Sequence, residues 1–234
     1  LAAGCTVVCK PANATPLSAH AFAVLAERAG IPAGVINIVT GDTRAIGAEL
    51  TSNPTVRKLT FTGSTEVGKK LMADCAGTVK RTSMELGGNA PFIVFDDADL
   101  DAAVEGAMVS KFRNAGQTCV CANRIFVQEG VYEAFTAKLL AAVGGLKVGN
   151  GMDPGVTIGP LINEGAANDV LGFVEDAVAQ GAKVACGGGR SELGRCFVEP
   201  TVLTNANDRM RVFQEEIFGP VVSVTTFKDD DEAM

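Results

Sequence analysis

The chain is poor in the side chains and patterns that several large classes of protein require. It has one histidine, His20, and no Cys-x-x-Cys pair, so a closed four-ligand zinc site has no obvious donors and no metal is expected. Its 20 basic residues are outnumbered by 27 acidic ones, which gives a net charge of −7 and no basic stripe for a nucleic acid. No uncharged apolar run approaches the length of a membrane span. We therefore expect neither nucleic acid nor a membrane among its partners.

The first residues also lack the basic segment that opens a signal peptide. The chain begins at Leu1, so a targeting segment before it stays open. Seven cysteines, an odd number at irregular spacings, indicate a reducing compartment rather than a disulfide framework. The cytoplasm is the expected location.

The 234 residues, 47% of them hydrophobic and 20% charged, suffice for one large or two small domains. In the first part, short β-rich runs alternate with helical patterns, which predicts a parallel sheet with helices on its faces. The predicted strands are 6–10, 35–39 and 58–62, and the predicted helices are 18–29, 44–50 and 65–76. The segment 41–43 separates a strand from a helix cap, and Ser64 can cap the helix that follows Gly63.

The second part restarts with a β-rich run and an acidic helix start at Asp96, which complements the helix dipole. Its predicted strands are 92–95, 123–128, 183–186, 197–202 and 221–227, and its predicted helices end at 111 or cover 131–143 and 164–180. The glycine- and proline-rich stretch 149–160 is expected to be a surface connection. A domain boundary is predicted between residues 86 and 87.

Two segments carry the chemistry. Residues 111–124 read Lys-Phe-Arg-Asn-Ala-Gly-Gln-Thr-Cys-Val-Cys-Ala-Asn-Arg and place the thiol of Cys119 in a short polar loop between two patterned elements. A free cysteine is usually a small buried hydrophobe, but a thiol in such a loop suits attack on a carbonyl carbon. Upstream, Glu85 ends an apolar run and precedes paired glycines, a position that suits a general base acting through water. The two segments indicate a nucleophile and a base.

These segments resemble the two signatures of the aldehyde dehydrogenase superfamily, a Glu-Leu-Gly-Gly base motif and a Gly-Gln-x-Cys nucleophile motif. Three further segments resemble the same family in the same order, namely Lys-Pro-Ala at 10–12 with Thr-Pro at 15–16, the segment 61–68 and the segment 214–220. The loop 112–121 is similar, more narrowly, to the succinate-semialdehyde dehydrogenase branch.

The resemblance implies an α/β fold with a Rossmann-type parallel-sheet cofactor domain, residues 1–86, and an α/β catalytic domain, residues 87–234. Both domains are expected to be truncated, since family members are roughly twice this length. The chain is then an internal fragment, weak or inactive alone, of an enzyme that forms a homo-oligomer. The segment that supplies an asparagine to the oxyanion hole would lie upstream. Ligands bind at the carboxyl ends of strands in such folds, so base and nucleophile would flank one cleft.

Roles for individual residues follow from the resemblance. Cys119 attacks the aldehyde and its backbone N–H stabilises the oxyanion, while Glu85 serves the hydrolysis that releases a free acid. Arg113 clamps a carboxylate at the far end of the substrate; the alternative is a surface arginine at a helix end. Cys121 either packs or forms a reversible disulfide with Cys119, since positions i and i+2 of an extended segment lie near the limit of disulfide reach.

The chain lacks the Gly-x-Gly-x-x-Gly fingerprint, so its cofactor residues also rest on the resemblance. The implied contacts are Ser64, after Gly63, to the pyrophosphate, Lys10 to the adenine ribose, Glu216 to the nicotinamide ribose, and Phe218 beside the ring. Asn13 stands where NAD-preferring relatives often carry Glu, and a neutral amide accepts a 2′-phosphate. NADP is therefore the preferred cofactor and NAD the alternative.

The sequence thus predicts an NAD(P)-dependent oxidation of succinate semialdehyde to succinate, a step of GABA degradation, through a thiohemiacetal and a thioester on Cys119. Glutarate semialdehyde or another aldehyde is the alternative substrate. A non-catalytic dinucleotide-binding fragment is the alternative from a different class of function.

Overall fold

A computed structural model describes residues 1–233, and Met234, the end of the predicted second domain, lies outside them. The chain splits into two compact units, Leu1–Leu86 and Gly87–Met234. The split falls where the sequence placed a domain boundary, and the cofactor and catalytic roles given to the two parts remain predictions. Within residues 1–233, no helix has both the length and the apolar character needed to cross a membrane.

The first unit alternates strands and helices. Its elements are β1 (Val7–Cys9), α1 (Leu17–Arg28), β2 (Ile36–Ile38), α2 (Thr43–Ser52), β3 (Lys58–Gly63), α3 (Thr65–Ala76) and β4 (Arg81–Leu86). β1 pairs with β2 and β3 pairs with β4, both in parallel, as two separate two-stranded sheets. A parallel pair needs a long crossover connection, and α1 and α3 supply one for each pair.

Two helices of this unit begin at residues whose side chains satisfy the free backbone N–H groups of the first turn. The Asp42 carboxylate accepts a hydrogen bond from the Ala45 N–H at 2.7 Å, which starts α2. The Ser64 hydroxyl accepts one from the Val67 N–H at 3.4 Å, which starts α3. Both predicted helix starts are confirmed.

The second unit is a five-stranded sheet with helices. Its elements are β5 (Ala90–Val94), α4 (Leu100–Phe112), β6 (Ala122–Gln128), α5 (Tyr132–Gly144), α6 (Glu164–Ala179), β7 (Lys183–Cys186), β8 (Thr201–Thr204), α7 (Arg211–Gln214), β9 (Val221–Phe227) and α8 (Asp230–Ala233). The strand order is β5-β6-β9-β8-β7, and every pair is parallel except β7 with β8. The α/β class predicted from the sequence is confirmed.

The core of the second unit surrounds its central strands β6 and β9. Ile125 and Val127 of β6 and Val222 of β9 are buried, as are Phe135 and Leu139 of α5. Four consecutive residues of β9, from 221 to 224, are buried, as expected of a strand that is covered on both faces of a parallel sheet. Each fully buried side chain of this size stabilises the fold by about 1.5–3 kcal/mol. This packing fixes the position of the loop that precedes β6.

The sequence misplaced one strand and missed three elements, β4, α7 and α8. The strand predicted at 197–202 begins only at Thr201, because Pro200 has no N–H to offer the ladder and Val198 makes an isolated bridge to Arg190 instead. β4 was not predicted as a strand, although Arg81–Leu86 pairs in parallel with β3 along its whole length. α7 is only four residues long and gives no helical period to detect.

Candidate active site

The loop that carries the predicted nucleophile starts with a left-handed backbone turn. After α4 ends, Asn114, Ala115 and Gly116 have φ values of 54°, 55° and 73°. Asparagine and glycine adopt this conformation readily, but alanine does so at a cost of roughly 1–2 kcal/mol. Strained backbone of this kind is concentrated at functional sites, where the surrounding structure holds it in place.

Cys119 lies in the β-turn that follows. The turn is closed by a hydrogen bond from the Cys121 N–H to the Thr118 carbonyl oxygen at 3.2 Å, and the Cys119 side chain is exposed. β6 begins at Ala122, so Cys119 stands at the amino end of a parallel strand. Cys119 therefore does not stand at the carboxyl end of this strand, and where a ligand meets the sheet remains a prediction.

Cys121 is held differently from Cys119. Its side chain is buried, with the sulfur 2.8 Å from the Thr118 hydroxyl oxygen and donating to the Gly116 carbonyl oxygen at 3.4 Å. Both cysteines are free thiols. They occupy a turn rather than the extended segment that the sequence suggested, and the disulfide between them remains a prediction.

A second segment of the same unit packs against this loop through glycines. A Cβ added to Gly116 would stand 2.1 Å from the carbonyl oxygen of Gly219, so the two backbones touch directly. Phe218, the residue before Gly219, has a φ of 52° and an exposed ring. The predicted nucleophile loop and the predicted nicotinamide-binding segment are thus in contact.

The paired glycines of the base motif lie beside both segments. A Cβ on Gly87 would meet a carboxylate oxygen of Glu216 at 2.1 Å, and the Gly88 N–H donates to the other oxygen at 3.3 Å. A Cβ on Gly88 would lie 3.5 Å from the Cys119 carbonyl oxygen. The second unit therefore brings together Cys119, the glycine pair and Glu216, three features that the sequence singled out separately.

Arg113 lies at the end of α4, at the start of the nucleophile loop, and its side chain is exposed. Among residues 1–233 its guanidinium makes no side-chain hydrogen bond or ion pair. In the sequence it is separated from Cys119 by the left-handed turn 114–116, Gln117 and Thr118.

Two side chains of this region were given no role from the sequence, although Gln117 belongs to the Gly-Gln-x-Cys motif. The Gln117 side chain joins the nucleophile loop to the segment before α6, because its amide oxygen accepts a hydrogen bond from the Ile162 N–H at 2.9 Å. Within the loop, its amide nitrogen donates to the Asn114 carbonyl oxygen at 3.2 Å. Lys111 is fully buried, and its ammonium donates to the Asn123 side-chain oxygen at 2.8 Å. Burial lowers the pKa of Lys111 to about 8, against smaller opposing effects from Cys121 and Glu216.

In the first unit, Lys10 and Asn13 form one polar cluster. The Lys10 ammonium donates to the Asn13 side-chain oxygen at 2.6 Å, and the Asn13 amide donates to the Thr43 hydroxyl at 3.1 Å. Thr43 is the first residue of α2 and was not predicted; its place after a capping aspartate was the available signal. The cluster lies where β1 ends and α2 begins.

The other predicted residues of the first unit also follow or end strands. Ser64 caps α3 directly after Gly63, the last residue of β3. Glu85 is the exposed penultimate residue of β4 and pairs in register with Thr62. These positions are at carboxyl ends of parallel strands, as expected. No group of three or more His, Cys, Asp or Glu side chains in residues 1–233 is placed to hold a metal ion.

Comparisons with known proteins agree with this architecture. A model described as the aldehyde dehydrogenase family matches residues 1–234. The glutarate-semialdehyde dehydrogenase of Pseudomonas aeruginosa is 61% identical over 234 residues, which are 100% of this chain and 48% of that protein. The 3-sulfolactaldehyde dehydrogenase of Pseudomonas putida is 60% identical with the same two coverages. The NADP(+) succinate-semialdehyde dehydrogenase of Escherichia coli K12 is 60% identical over 230 residues, 98% of this chain and 48% of that protein.

Comparison with solved structures also finds aldehyde dehydrogenases. The succinate-semialdehyde dehydrogenase of Burkholderia pseudomallei superposes with a TM-score of 0.98 at 60% identity, over 99% of this chain and 48% of that one. The betaine aldehyde dehydrogenase of Staphylococcus aureus, in complex with NAD+, superposes with a TM-score of 0.92 at 38% identity, over 98% of this chain and 46% of that one. This chain has the α/β fold of those dehydrogenases. It belongs to the aldehyde dehydrogenase family, and it spans about half the length of the curated relatives it matches.

Proposed function

We propose that the complete protein that carries this chain oxidises an aldehyde with an anionic far end to the corresponding acid, with NADP or NAD. Succinate semialdehyde is the substrate we favour. The observation that carries the proposal is the exposed Cys119 thiol, presented in a tight turn beside Glu216 and the glycine pair within the family's nucleophile motif.

The substrate class rests on what the relatives share. Their names refer to glutarate semialdehyde, 3-sulfolactaldehyde and succinate semialdehyde, each of which bears a carboxylate or sulfonate at the end away from the aldehyde. Identities of 61% and 60% do not separate these substrates. An exposed guanidinium on the nucleophile loop supports an anionic substrate, because Arg113 can bind two oxygens of such a group at once.

The chain's own residues divide the chemistry as follows. The Cys119 thiolate forms a bond to the aldehyde carbon, and its backbone N–H donates to the oxygen that becomes negative. Departure of hydride from that carbon leaves a thioester on the sulfur. Glu85 takes a proton from water, the resulting hydroxide attacks the thioester, and the acid leaves while the thiolate returns. An exposed carboxylate at a strand end has the solvent access that this role needs.

The cofactor supplies the hydride acceptor when it is bound. Two features of the first unit fit a dinucleotide: the N-terminus of α3 with Ser64, which offers backbone N–H groups and a positive dipole end to a phosphate, and the Lys10–Asn13 cluster at the end of β1. Lys10 and the neutral Asn13 amide favour a 2′-phosphate, which supports NADP over NAD. Glu216 of the second unit is assigned to the nicotinamide ribose and Phe218 to the ring.

The Arg113→Ala variant tests the substrate class. Losing charge-assisted hydrogen bonds worth about 1.5–3 kcal/mol should raise KM for succinate semialdehyde roughly 10- to 150-fold. KM for butanal, which has the same carbon chain without the carboxylate, should change little. Steady-state kinetics of the complete enzyme with both aldehydes gives the answer.

Arg195→Ala is the matched control, because Arg195 is an exposed arginine of the same unit, paired with Glu164 outside the nucleophile loop. It should alter neither KM. An equal rise in KM for both aldehydes in Arg113→Ala would contradict the clamp. A higher kcat/KM for glutarate semialdehyde than for succinate semialdehyde would reassign the substrate and leave the anionic class intact.

A further inference from the structure

Lys111 occupies a position that a lysine rarely takes. It is the penultimate residue of α4, its side chain has no exposed surface, and it is among the largest fully buried side chains of the chain. Lysines are almost never fully buried unless they are paired. Here the described partner of the ammonium is a neutral amide oxygen, that of Asn123, at 2.8 Å.

The contacts of Lys111 bracket the nucleophile loop. Residues 113–121 run from the end of α4 to the start of β6. On the side-chain level, the Lys111 ammonium bonds to Asn123, the second residue of β6. On the backbone level, the Lys111 carbonyl oxygen lies 3.6 Å from the Cys121 sulfur and shares the single thiol proton with the Gly116 carbonyl oxygen. One residue therefore joins the departure and return points of the loop that presents Cys119.

Few groups around Lys111 can pair with a charged ammonium. Asn123 is itself 1% exposed, and its side-chain nitrogen has no hydrogen-bond partner among residues 1–233. The titratable groups whose charges reach the Lys111 amine are Cys121, from the turn before β6, and Glu216, from the segment before β9. Burial outweighs both and lowers the pKa of Lys111 to about 8. The amine therefore changes its charge close to neutral pH.

We propose that Lys111 is a positioning residue, whose buried amine holds the Cys119 loop in its reactive geometry by joining the end of α4 to the start of β6. The inference rests on the proposed function of Cys119 as the nucleophile. A lysine is costly to bury, so an apolar residue of the same length would serve the fold as well or better. What such a residue lacks is the bond across the base of the loop.

A displacement of a reacting atom by about 1 Å can cost on the order of 100-fold in rate. Holding both ends of the loop at one point limits such displacement. A charged donor makes a stronger hydrogen bond than a neutral one, so the hold should be firmer below the pKa of the amine than above it.

Lys111→Met in the complete protein tests the proposal, since methionine keeps the buried stem and removes the amine. Lys138→Met is the control: it makes the same change at an exposed lysine of α5, which pairs with Asp101. Hydrogen exchange followed by mass spectrometry should show faster exchange in peptides covering 113–121 for Lys111→Met alone. Its Tm should stay equal to that of the wild type or rise.

Kinetics separates positioning from a purely structural role. We expect kcat for succinate semialdehyde to fall about 10-fold or more in Lys111→Met while KM changes less than about twofold. The wild-type advantage in kcat should shrink as the pH rises through about 8. Unchanged exchange in 113–121 overturns the proposal, and so does faster exchange with an unchanged kcat and pH profile. A wild type that oxidises no anionic aldehyde refutes the proposed function instead, and the exchange measurement then decides alone on Lys111.

Discussion

Replacing Gly116 by alanine should damage the nucleophile loop more than its small size suggests. The residue has a φ of 73°, and a Cβ there would stand 2.1 Å from the Gly219 carbonyl oxygen and 3.1 Å from the Pro220 nitrogen. Both neighbours are backbone atoms, so no rotamer change can make room. The loop and the segment before β9 would have to separate.

The magnitude has two parts. An alanine in left-handed backbone costs roughly 1–2 kcal/mol, and forcing an extra carbon into a packed contact costs typically about 1–3 kcal/mol. The sum, about 2–5 kcal/mol, is a large part of the roughly 5–15 kcal/mol that stabilises a domain. We therefore expect either local opening of the loop or a clear loss of stability in the second unit.

Urea unfolding of Gly116→Ala and Gly144→Ala in the complete protein measures the difference. Gly144, the last residue of α5, has open space at its Cβ position, so alanine there should be neutral or stabilising by up to about 1 kcal/mol. Alkylation of Cys119 by iodoacetamide, followed in parallel, reports local opening. A Gly116→Ala protein that loses less than about 1 kcal/mol and alkylates at the wild-type rate would refute the reasoning.

Three further predictions concern charge, cofactor and redox state. The pKa of Lys111 is about 8 in the folded chain against an ordinary 10.5. Between pH 8 and 10.5 the unfolded chain therefore binds more protons than the folded chain. The free energy of unfolding should rise with pH in that window, by up to about 3 kcal/mol. Urea midpoints from pH 7 to 11 should show this rise in the wild type and not in Lys111→Met. Asn13→Glu should shift the ratio of kcat/KM values from NADP toward NAD, because a carboxylate repels the 2′-phosphate; an unchanged ratio would place phosphate recognition elsewhere. Cys121→Ala should abolish thiol-reversible inactivation by peroxide, and retained reversibility would exclude the disulfide with Cys119.

Local signals predicted most of the secondary structure. Helices α2 and α3 start close to where the sequence predicted them. A helix cap is a contact between residues three apart, so a short segment of sequence is enough to predict it. Strands β6 and β9 were found because both are rich in β-branched and aromatic residues, with Ile-Phe-Val at 125–127 and Val-Val-Ser-Val-Thr-Thr-Phe at 221–227. Pro200 shows the limit of such local prediction. The residues around it favour a strand from 197, but the proline has no N–H for the ladder and the strand begins only at Thr201.

The candidate site was predictable in its residues but not in its geometry. The motif named Cys119, yet the left-handed turn 114–116 packs through Gly116 against the backbone of Gly219, which is far away in the sequence. Lys111 looked like an ordinary residue at a helix end, and only the packing of α4 on β6 buries it. The sequence already placed Cys119 just before the predicted strand 123–128, but it did not provide the neighbours of that strand, β5 and β9, with which it pairs in parallel.

The bond between Gln117 and Ile162 has a consequence for engineering. The stretch 149–160 between α5 and α6 looks like a place where residues can be added or removed freely, as surface loops usually allow. Just beyond its end, however, the Ile162 N–H donates a hydrogen bond to the side chain of Gln117, which lies two residues before Cys119. Libraries that vary the length of this stretch should therefore change catalytic rates as well as stability, whereas insertions after Gly187, in the loop before β8, should leave the rates alone.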